Sequence, residues 1–477
     1  MHGDSAERPA DRLGLGPIRW RAVAVAGLVG AVAASTAILG GPAGGGAASL
    51  TSTSNQIRTG AWICPHGGGA GLTGWVTIAN PGRSAVHVRL TGFGANGVAS
   101  PASFDVPGGT EAVRPVQAGE PGSATEVEYF GGWVVASATV AAGSGPEGRS
   151  TQEPCLPGPA ADWYLPGLST KVGQTAYVVA TNPFGEVAEF DVALFTEQRS
   201  IRPGTLSPFV VPPRHSVAIK LNQFALLSQD ENALAVRVAS RVGRIVVGGT
   251  VLTRSSMMAE AGVPAPATRW VIPAGGAASD VRLVAFNPGS VRADLSVVSQ
   301  GPAGQLVGSG TEGLSVPPGG VQSFALRALP DAGMTVQSTN GRPVVVALRA
   351  ERTTGGPTIA GAVPASGAAA GGQGWLVVPG VLTGSGSAYL VMEDPGTVDA
   401  EVQVSWIGPG GPIAAFQGPF TVPAGRTLQV PIPRVGTRLG SAWITVTKGE
   451  VIPAAWSSPA QGSGFAIVLG LPTPAQG

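Results

Sequence analysis

Residues 75–90 read Trp-Val-Thr-Ile-Ala-Asn-Pro-Gly-Arg-Ser-Ala-Val-His-Val-Arg-Leu, two alternating runs on either side of an Asn-Pro-Gly turn. Alternation with a period of two is typical of a strand that buries one face. Pro fixes φ and Asn bonds readily to nearby backbone groups, so these turn residues favour a chain reversal. We therefore predict a β-hairpin here, and the same pattern recurs around Asn287-Pro288-Gly289.

The turn belongs to a unit that occurs four times, about 105 residues apart. Each unit opens on a Trp, and these are Trp62, Trp163, Trp270 and Trp375. The turn positions are Asn80, Asn182, Asn287 and, in the fourth unit, Asp394. A Val-Pro step follows at Val106, Val211, Val316 and Val422, where Pro is expected to end a strand. A fixed period of this length indicates tandem domains, each large enough to bury a core.

Short apolar runs between Gly- and Pro-containing turns fill each repeat, and no long stretch has helical periodicity. About seven such strands per repeat are typical of an immunoglobulin-like β-sandwich. We predict an all-β chain of four tandem sandwiches, and a β-propeller with two blades per repeat is the alternative. The predicted domains are residues 61–158, 162–266, 269–366 and 374–474.

Composition argues against partners that recognise charge. Charged residues make up 12% of the chain, with 29 basic and 28 acidic side chains. Affinity for nucleic acid or for an anionic lipid surface depends on clustered basic residues. The sequence therefore predicts no nucleic-acid partner.

The N-terminal region predicts a location outside the cytosol for the repeats. Residues 22–40 are apolar except for Ser35 and Thr36, and no charged residue lies between Arg21 and Arg58. Such a segment is long enough to cross a membrane, and the flanking Arg residues favour a cytoplasmic N-terminus. We predict a cytoplasmic arm (1–21), a single transmembrane helix (22–40) and a linker (41–60). The alternative is a cleaved signal peptide and a secreted protein.

The first repeat opens with Trp62-Ile63-Cys64-Pro65 and a run of glycines. Together with the anchored N-terminus, the Asn-Pro turns and the Val-Pro-Gly steps, this resembles an actinobacterial family of secreted or membrane-anchored proteins of unknown function. More loosely, the units resemble bacterial immunoglobulin-like repeats. The resemblance covers the whole chain and implies an envelope location, but it implies no active-site residues.

The two Cys residues, Cys64 and Cys155, lie in the opening and closing strands of the first repeat. Outside the cytosol such a pair is expected to be oxidised. In two other repeats the equivalent positions hold one large and one small residue, as neighbouring inward positions should: Leu165 with Gly262, and Ile272 with Ala362. We therefore predict a disulfide between Cys64 and Cys155.

Groups that could perform catalysis are scarce. Beyond the N-terminal arm the chain has three His residues, His66, His87 and His215. Cys64 and His66 are two residues apart, but no further nearby ligand completes a metal site. No nucleophile elbow, phosphate-binding loop or dinucleotide fingerprint occurs.

Two acid pairs also fail to indicate catalysis. Glu126 and Glu128 share a strand face, and Glu393 adjoins Asp394, but neither pair recurs in the other repeats. We interpret them as exposed carboxylates at strand edges. The sequence thus predicts no enzymatic activity, no cofactor and no metal.

Two functions remain. The first is a structural or protein-interaction protein that presents tandem β-domains to an envelope protein; the alternative is a cell-wall glycan-binding protein. A Trp that recurs at one position in four domains is interpreted as a core residue. The candidates for a sugar platform are the Trp residues at other positions: Trp75, Trp133, Trp406, Trp443 and Trp456. An exposed cluster of these residues would favour glycan binding.

Overall fold

The computed structural model of the protein is all-β. It describes residues 59–142, 150–224, 233–254, 256–273, 280–306, 311, 313–326, 332–352, 356–364, 374–382, 385–459 and 465–473. Within these ranges there is no α-helix, and two 3₁₀ turns span Gly204–Leu206 and Leu221–Gln223. The four repeats belong to one compact unit.

Repeat 1 forms two antiparallel sheets. Its strands are β1 (Thr59–Cys64), β2 (Leu72–Asn80), β3 (Val86–Gly94), β4 (Gly97–Val98), β5 (Ala102–Val106), β6 (Thr110–Val116), β7 (Ala124–Phe130), β8 (Val135–Ala142) and β9 (Ser150–Pro154). In the first sheet β7 lies between β1 and β3, and β4 and β5 pair with β3. The second sheet has the order β6-β2-β8-β9.

Repeat 2 has the same arrangement. Its strands are β10 (Asp162–Leu168), β11 (Thr175–Asn182), β12 (Ala188–Thr196), β13 (Ser200–Ile201), β14 (Phe209–Val211), β15 (His215–Lys220), β16 (Leu234–Val242), β17 (Val246–Leu252) and β18 (Met257–Ala261). The first sheet has the order β10-β16-β12, with β13 and β14 on β12. The second sheet has the order β15-β11-β17-β18.

Repeat 3 adds one closing strand to this plan. Its strands are β19 (Arg269–Ile272), β20 (Asp280–Asn287), β21 (Ala293–Gly301), β22 (Gly304–Leu306), β23 (Leu314–Val316), β24 (Gly320–Leu326), β25 (Gly333–Ser338), β26 (Val345–Arg352), β27 (Gly356–Ala360) and β28 (Val363–Pro364). The first sheet has the order β28-β19-β25-β21, with β22 and β23 on β21. The second has the order β24-β20-β26-β27.

Repeat 4 has the closing strand and a small additional ribbon. Its strands are β29 (Gly374–Val377), β30 (Gly386–Glu393), β31 (Ala400–Gly408), β32 (Gly411–Ile413), β33 (Phe420–Val422), β34 (Thr427–Pro431), β35 (Arg434–Val435), β36 (Arg438–Leu439), β37 (Ser441–Lys448), β38 (Ile452–Pro459), β39 (Ala466–Leu469) and β40 (Leu471–Thr473). The first sheet has the order β40-β29-β37-β31, and the second has the order β34-β30-β38-β39.

The two sheets of a repeat enclose one core. In repeat 2, Trp163 of the first sheet and Val178 of the second belong to the same cluster of buried side chains. Trp62 and Val76 do the same in repeat 1. Two antiparallel sheets packed face to face form a β-sandwich. The prediction of an all-β chain of tandem sandwiches is therefore confirmed, whereas the propeller alternative would place the two sheets of a repeat in separate blades.

The hairpin predicted at the Asn-Pro turn is wrong. β2 ends at Asn80 and pairs with β6 and β8, whereas β3 begins at Val86 and pairs with β5 and β7. The turn therefore carries the chain from one sheet to the other. Both strands have an apolar face, and these faces pack across the core instead of the strands pairing edge to edge. The Val-Pro prediction is confirmed, since β5, β14, β23 and β33 all end at that Val.

The repeats contact one another in a closed cycle, which we call the ring. The last strands of the second sheets meet in order: β9 with β18, β18 with β27, β27 with β39, and β39 with β9. The first sheets contribute equivalent contacts of β3 with β15, β12 with β24, and β31 with β6. A single parallel β-bridge between Gly408 and Thr110 joins repeat 4 to repeat 1. Head-to-tail contacts of one kind form such a cycle when the rotation between units closes.

At two junctions, the loop after the first strand of one repeat packs closely against a neighbouring repeat. Gly67 and Gly380 have φ of 63° and 74°, and both follow the first strand of their repeat. An added Cβ would lie 2.7 Å from Thr250 Cγ2 at Gly67 and 2.5 Å from Thr139 Oγ1 at Gly380. Glycine is thus required both for the left-handed backbone and for the close approach to the next repeat.

The aromatic contact between repeats 2 and 3 shows how far the cores are shared. The Phe286 ring of repeat 3 lies 4.5 Å from that of Phe195 and 6.2 Å from that of Tyr164, both of repeat 2. These residues belong to one buried cluster that also includes Trp456 of repeat 4. The repeats therefore form one body instead of separate domains joined by linkers.

The predicted membrane segment lies outside this description. No helix in the described part of the chain is long and apolar enough to cross a membrane. Residues 1–58, with the predicted arm, membrane segment and most of the linker, are outside the described ranges. The membrane location therefore stays a prediction.

Candidate functional site at the junctions between repeats

The opening Trp residues fix the cores. Trp62, Trp163, Trp270 and Trp375 are 5%, 2%, 0% and 0% exposed. In the first three, the indole N–H donates to the carbonyl oxygens of Val134, Ile245 and Val344 at 2.7, 2.8 and 2.9 Å. The Trp375 Nε1 has no partner among the described residues. In repeats 1 to 3 the shared hydrogen bond ties the Trp to the chain that enters the second sheet.

Asn80 organises the first turn through both ends of its amide. Its Oδ1 accepts a hydrogen bond from the Gly82 N–H at 2.9 Å. Its Nδ2 donates to the carbonyl oxygens of Ser84, Val106 and Pro107 at 2.9, 2.9 and 3.2 Å. Asn182 and Asn287 make bonds of the same kind. The recurring Asn-Pro and Val-Pro motifs are therefore parts of one hydrogen-bonded unit.

Asp394 keeps only half of this pattern. Its Oδ1 accepts a hydrogen bond from the Gly396 N–H at 2.7 Å, as the Asn residues do. Its Oδ2 takes the place of the donating amide and has no partner among the described residues. Burial raises the pKa of Asp394 to about 6, with nearby Glu450 and Asp399 adding to the shift. Repeat 4 thus retains the turn but has, in place of the donating amide, a carboxyl oxygen without a hydrogen-bond partner among the described residues; the nearby Ala400 N–H only partly offsets the effect of burial on the pKa.

We expect Asp394→Asn to raise the free energy of unfolding by about 1–3 kcal/mol at pH 8, because it replaces an unsatisfied buried acceptor with a donor. The raised pKa means that the folded wild-type chain prefers the protonated acid, so its stability falls as the pH rises through about 6. The gain should therefore be smaller at pH 5. Urea unfolding at both pH values measures it, and Glu186→Gln, at an exposed position in repeat 2, is the control. A loss of stability at pH 8 would contradict the account.

The predicted disulfide between Cys64 and Cys155 is confirmed. Both residues are fully buried, and the bond joins β1 to the segment after β9. At the equivalent site in repeat 2, a Cβ added to Gly262 would lie 2.8 Å from the Trp163 ring. The added Cβ would approach the Val247 carbonyl oxygen still more closely, so the small residue at Gly262 is required by the backbone of β17 and by the packed Trp163.

The three His residues do not converge. His66 is buried with its Nε2 3.1 Å from Thr125 Oγ1, and burial lowers its pKa to about 4. His87 Nδ1 lies 2.7 Å from Asp105 Oδ1 on an exposed face. His215 bonds to a backbone carbonyl in its own turn. In the described ranges no three His, Cys, Asp or Glu side chains are grouped so that they could hold a metal ion.

Glu126 and Glu128 do not lie at a strand edge, as the sequence led us to expect. They lie on β7, which is flanked by β1 and β3. Glu128 accepts two hydrogen bonds from Arg89 at 2.6 and 2.7 Å. Glu126 is 7% exposed, its Oε2 lies 3.4 Å from Arg214 Nη1 of repeat 2, and burial raises its pKa. Each carboxylate has a cationic partner, which indicates a structural role.

The ring centre contains a buried polar cluster that the sequence analysis missed. Its members are Gln152 and Glu153 on β9, Glu260 on β18, Arg349 on β26 and Ser457 on β38. Gln152 Nε2 donates to the Val381 carbonyl oxygen at 2.6 Å, and Ser457 Oγ lies 3.4 Å from Gln152 Oε1. Gln152 therefore bonds repeat 1 to repeat 4. The Gly167 N–H donates to both carboxyl oxygens of Glu260, at 2.9 Å to Oε1 and 3.1 Å to Oε2.

Glu153 is the least satisfied member of this cluster. It is 3% exposed, and neither carboxyl oxygen has a hydrogen-bond partner in the described part of the chain. Burial raises the pKa of Glu153 to about 8, and repulsion by the nearby Glu260 is the smaller of the two causes. Burial also raises the pKa of Glu260 to about 8, against the attraction of Arg349. Both carboxyl groups are therefore mainly protonated at neutral pH.

Two more buried glutamates lie at the other junctions. Ser441 Oγ of repeat 4 donates to Glu111 Oε2 of repeat 1 at 2.7 Å. Thr335 Oγ1 of repeat 3 lies 3.4 Å from Glu393 Oε1 of repeat 4. Burial raises the pKa of Glu111 to about 7 and that of Glu393 well above its usual value. Glu393 and Asp394, which we interpreted as exposed, are both fully buried.

An alignment of the repeats would have found two of the five members of the central cluster. Glu153 and Glu260 each lie two residues before the small or Cys residue that closes their repeat. Ala360 and Val468 occupy that position in repeats 3 and 4. Glu153 and Glu260 lie in different repeats, so they do not appear as an acid pair close together in sequence.

The Trp residues outside the repeated position do not form an exposed platform. Trp406 and Trp456 are 1% and 6% exposed. Trp75, Trp133 and Trp443 are half-buried. Every Trp in the described ranges is at least partly buried. The described residues therefore contain no exposed Trp cluster of the kind that would favour glycan binding.

Comparison with known proteins identifies the family. The model described as "Family of unknown function (DUF5719)" matches residues 122–374 and 368–464, more than half of the chain and parts of all four repeats. The chain belongs to the DUF5719 family. The predicted membership of a family of unknown function is thus confirmed for this DUF5719 protein, while an actinobacterial source and secretion stay predictions.

Other comparisons add little about this DUF5719 protein. No curated protein matches it. A solved structure described as "Crystal structure of tetra-tandem repeat in extending region of large adhesion protein" is 11% identical, with 83% of this chain and 94% of that chain covered and a TM-score of 0.11. A likeness with so low a TM-score carries no argument.

Proposed function

We propose that this DUF5719 protein is a non-enzymatic cell-envelope protein that binds an envelope protein through the surface of its ring, outside the plasma membrane. The observation that carries the proposal is the ring itself, in which four copies of one fold share cores and close on themselves. A body of this kind presents a preorganised surface, which reduces the entropy lost on binding. Residues 22–40 would anchor it in the membrane.

The chemistry of the described residues supports a binding role over a catalytic one. His66, His87 and His215 are dispersed, and Glu126 and Glu128 already face Arg side chains. The buried glutamates lie inside junctions where a substrate would have to separate two repeats. Catalysis needs accessible groups that converge on one point.

Repeat 2 supplies the surface that we propose for the contact. Val187, Val210 and Val242, which we call the valine patch, are 42%, 48% and 53% exposed. Val210 and Val242 lie opposite Glu189 on the two strands beside β12, so these side chains point to the same side of the sheet. Val187 precedes Glu189 by two residues and shares its face. Exposed apolar patches of this kind are typical of protein-interaction sites.

Changing Val210 and Val242 to Asp should weaken binding of the envelope partner at least about tenfold, because the interface would have to desolvate two charges. A photo-reactive group at Glu189 in the native envelope would identify the partner, and titration of the purified partner would give the affinity. Val172→Asp is the matched control, since Val172 is 77% exposed in the same repeat and lies outside the patch.

The proposal also predicts weak dependence on salt, because Glu189 is the one charged side chain that the described residues place among the three valines and the chain carries nearly equal numbers of basic and acidic residues. An affinity that is unchanged by the two Asp substitutions would exclude the valine patch as the contact. Cross-linking to polysaccharide with no protein captured would instead support the glycan-binding alternative.

A further inference from the structure

Two of the buried glutamates lie on the strands that close the ring. Glu111 is on β6, which is bridged to β31 of repeat 4. Glu153 is on β9, which contacts β39 of repeat 4. No peptide segment connects repeat 4 back to repeat 1, whereas the other three junctions join consecutive repeats. Junction 4–1 can therefore separate without any change in the chain that links the repeats.

Among the described residues, no basic side chain of repeat 4 offsets the effect of burial on the pKa of Glu153. β39 reads Ala-Ile-Val-Leu and therefore places four apolar residues against β9. β18, the neighbour on the other side, contributes Glu260, which repels an ionised Glu153. Arg349 favours the ionised form of Glu260 through its charge, and Arg349 is in turn influenced by the charges of Arg282, Asp280 and Glu351.

The surroundings of Glu111 are only slightly more favourable. The Ser441 hydroxyl donates to its Oε2, and its Oε1 has no partner among the described residues. Arg438 is the cation whose charge favours the ionised form, but burial outweighs it. β2 and β32 carry no charged residue, while Asp105 of β5 is exposed and paired with His87. Glu401 of β31 lies at the opposite end of that strand from the bridge.

We propose that Glu111 and Glu153 form a pH-dependent latch, which holds repeat 1 against repeat 4 when both are protonated and releases this junction when they ionise. A neutral carboxyl group can stay in an apolar junction, whereas a carboxylate is driven to regain water. Opening junction 4–1 hydrates both groups while the strands of each repeat keep their own pairings, and it also exposes the side chains, Leu376 and Ile407 among them, that repeat 4 places in the core of repeat 1. This inference is independent of the valine patch.

The direction of the pH effect follows from the pKa values. Burial raises the pKa of Glu111 to about 7 and that of Glu153 to about 8, so the closed ring binds protons more tightly than the open one. The contribution to closure is complete below the ordinary carboxyl pKa and is lost as the pH rises through about 7 to 8. The ring therefore closes in acid and opens in mild base.

The test is a distance measurement on the full-length chain in detergent micelles. Spin labels on Pro107→Cys and Gly410→Cys, two exposed positions on either side of the bridge, report on junction 4–1. Double electron–electron resonance should give one short distance between the two spin labels at pH 5.5 and a longer, broader distance distribution at pH 9.5. The far-UV circular dichroism spectrum should be the same at both pH values. The native Cys pair is protected by its disulfide.

The double variant Glu111→Gln/Glu153→Gln should keep the short distance at pH 9.5, because a neutral isostere cannot ionise. Glu186→Gln/Glu401→Gln, at exposed positions, should open like the wild type. If the double variant does not fold, each single variant should still shift the opening midpoint to higher pH. A short distance at both pH values in the wild type would overturn the latch. The latch would also be overturned if the distance between spin labels on Val172→Cys and Val242→Cys changed over the same pH range, since that change would mean that repeat 2 itself unfolds.

Discussion

Replacing Trp270 by Ala is expected to lower the free energy of unfolding by about 3–5 kcal/mol, the usual cost of emptying an aromatic core site. Trp270 is fully buried, and its indole N–H donates to the Val344 carbonyl oxygen at 2.9 Å. Its cluster reaches into repeats 2 and 4. The loss should therefore appear in the unfolding of the whole ring and not of repeat 3 alone.

Urea unfolding followed by Trp fluorescence and circular dichroism measures this effect. Trp443→Ala is the matched control, because Trp443 is half-buried and should cost clearly less. Trp270→Phe should recover part of the loss, since it restores apolar volume without the indole hydrogen bond. An unchanged unfolding curve for Trp270→Ala would contradict the assignment of the repeated Trp to the core.

Removing the disulfide by changing Cys64 and Cys155 to Ala is expected to cost about 2–5 kcal/mol, because the bond closes a long loop in the unfolded chain. The two residues are 91 positions apart and fully buried in the core of repeat 1. That core includes Leu376 and Ile407 of repeat 4. Loosening repeat 1 should therefore also weaken the closing junction.

The measurement is unfolding by urea with and without a reductant. Reductant should destabilise the wild-type chain once the bond becomes accessible and should have no effect on the double variant. Thiol titration supplies the second check, since the native, non-reduced protein should show no reactive thiol. Equal stability of the wild type and the variant would contradict a structural role for the bond.

Much of the fold could be predicted from the sequence because its signals are local. The Val-Pro steps end their strands as predicted, since Pro cannot donate to a ladder. The disulfide could be predicted because the two Cys residues lie in the opening and closing strands of the same repeat. The Asn-Pro turn was located correctly but connected wrongly, because alternation shows that a strand has an apolar face and does not show which strand it pairs with.

The ring and its acids could not be predicted because they depend on the orientation of one repeat against the next. Nothing near Glu153 in sequence indicates that Glu260 will face it, or that Arg349 will lie close to Glu260. Acidic residues are usually exposed, so the buried Glu111 and Glu393 contradict the ordinary expectation. Asp394 was visible as a departure from Asn, but its unpartnered Oδ2 became meaningful only beside the three complete Asn turns.

The closed ring also changes how the four repeats could act. An extended array of tandem domains would serve as a stalk or would add weak contacts by avidity. In the ring, each repeat buries part of its second sheet against a neighbour, and the exposed residues of one repeat keep a fixed position relative to the others. One specialised surface on repeat 2 is then sufficient for the proposed binding.

The most direct test of the ring is hydrogen exchange, at pH 6, in a chain that lacks residues 374–477. If repeat 4 closes on repeat 1, its removal should increase exchange at β6 and β9, because β6 loses its contacts with β31 and β32 and β9 loses its contact with β39. Exchange at β11 of repeat 2, whose two neighbouring repeats remain, should be unchanged. Equal protection of β6 and β9 in the full and shortened chains would show that repeats 1 and 4 do not meet, and would contradict the ring.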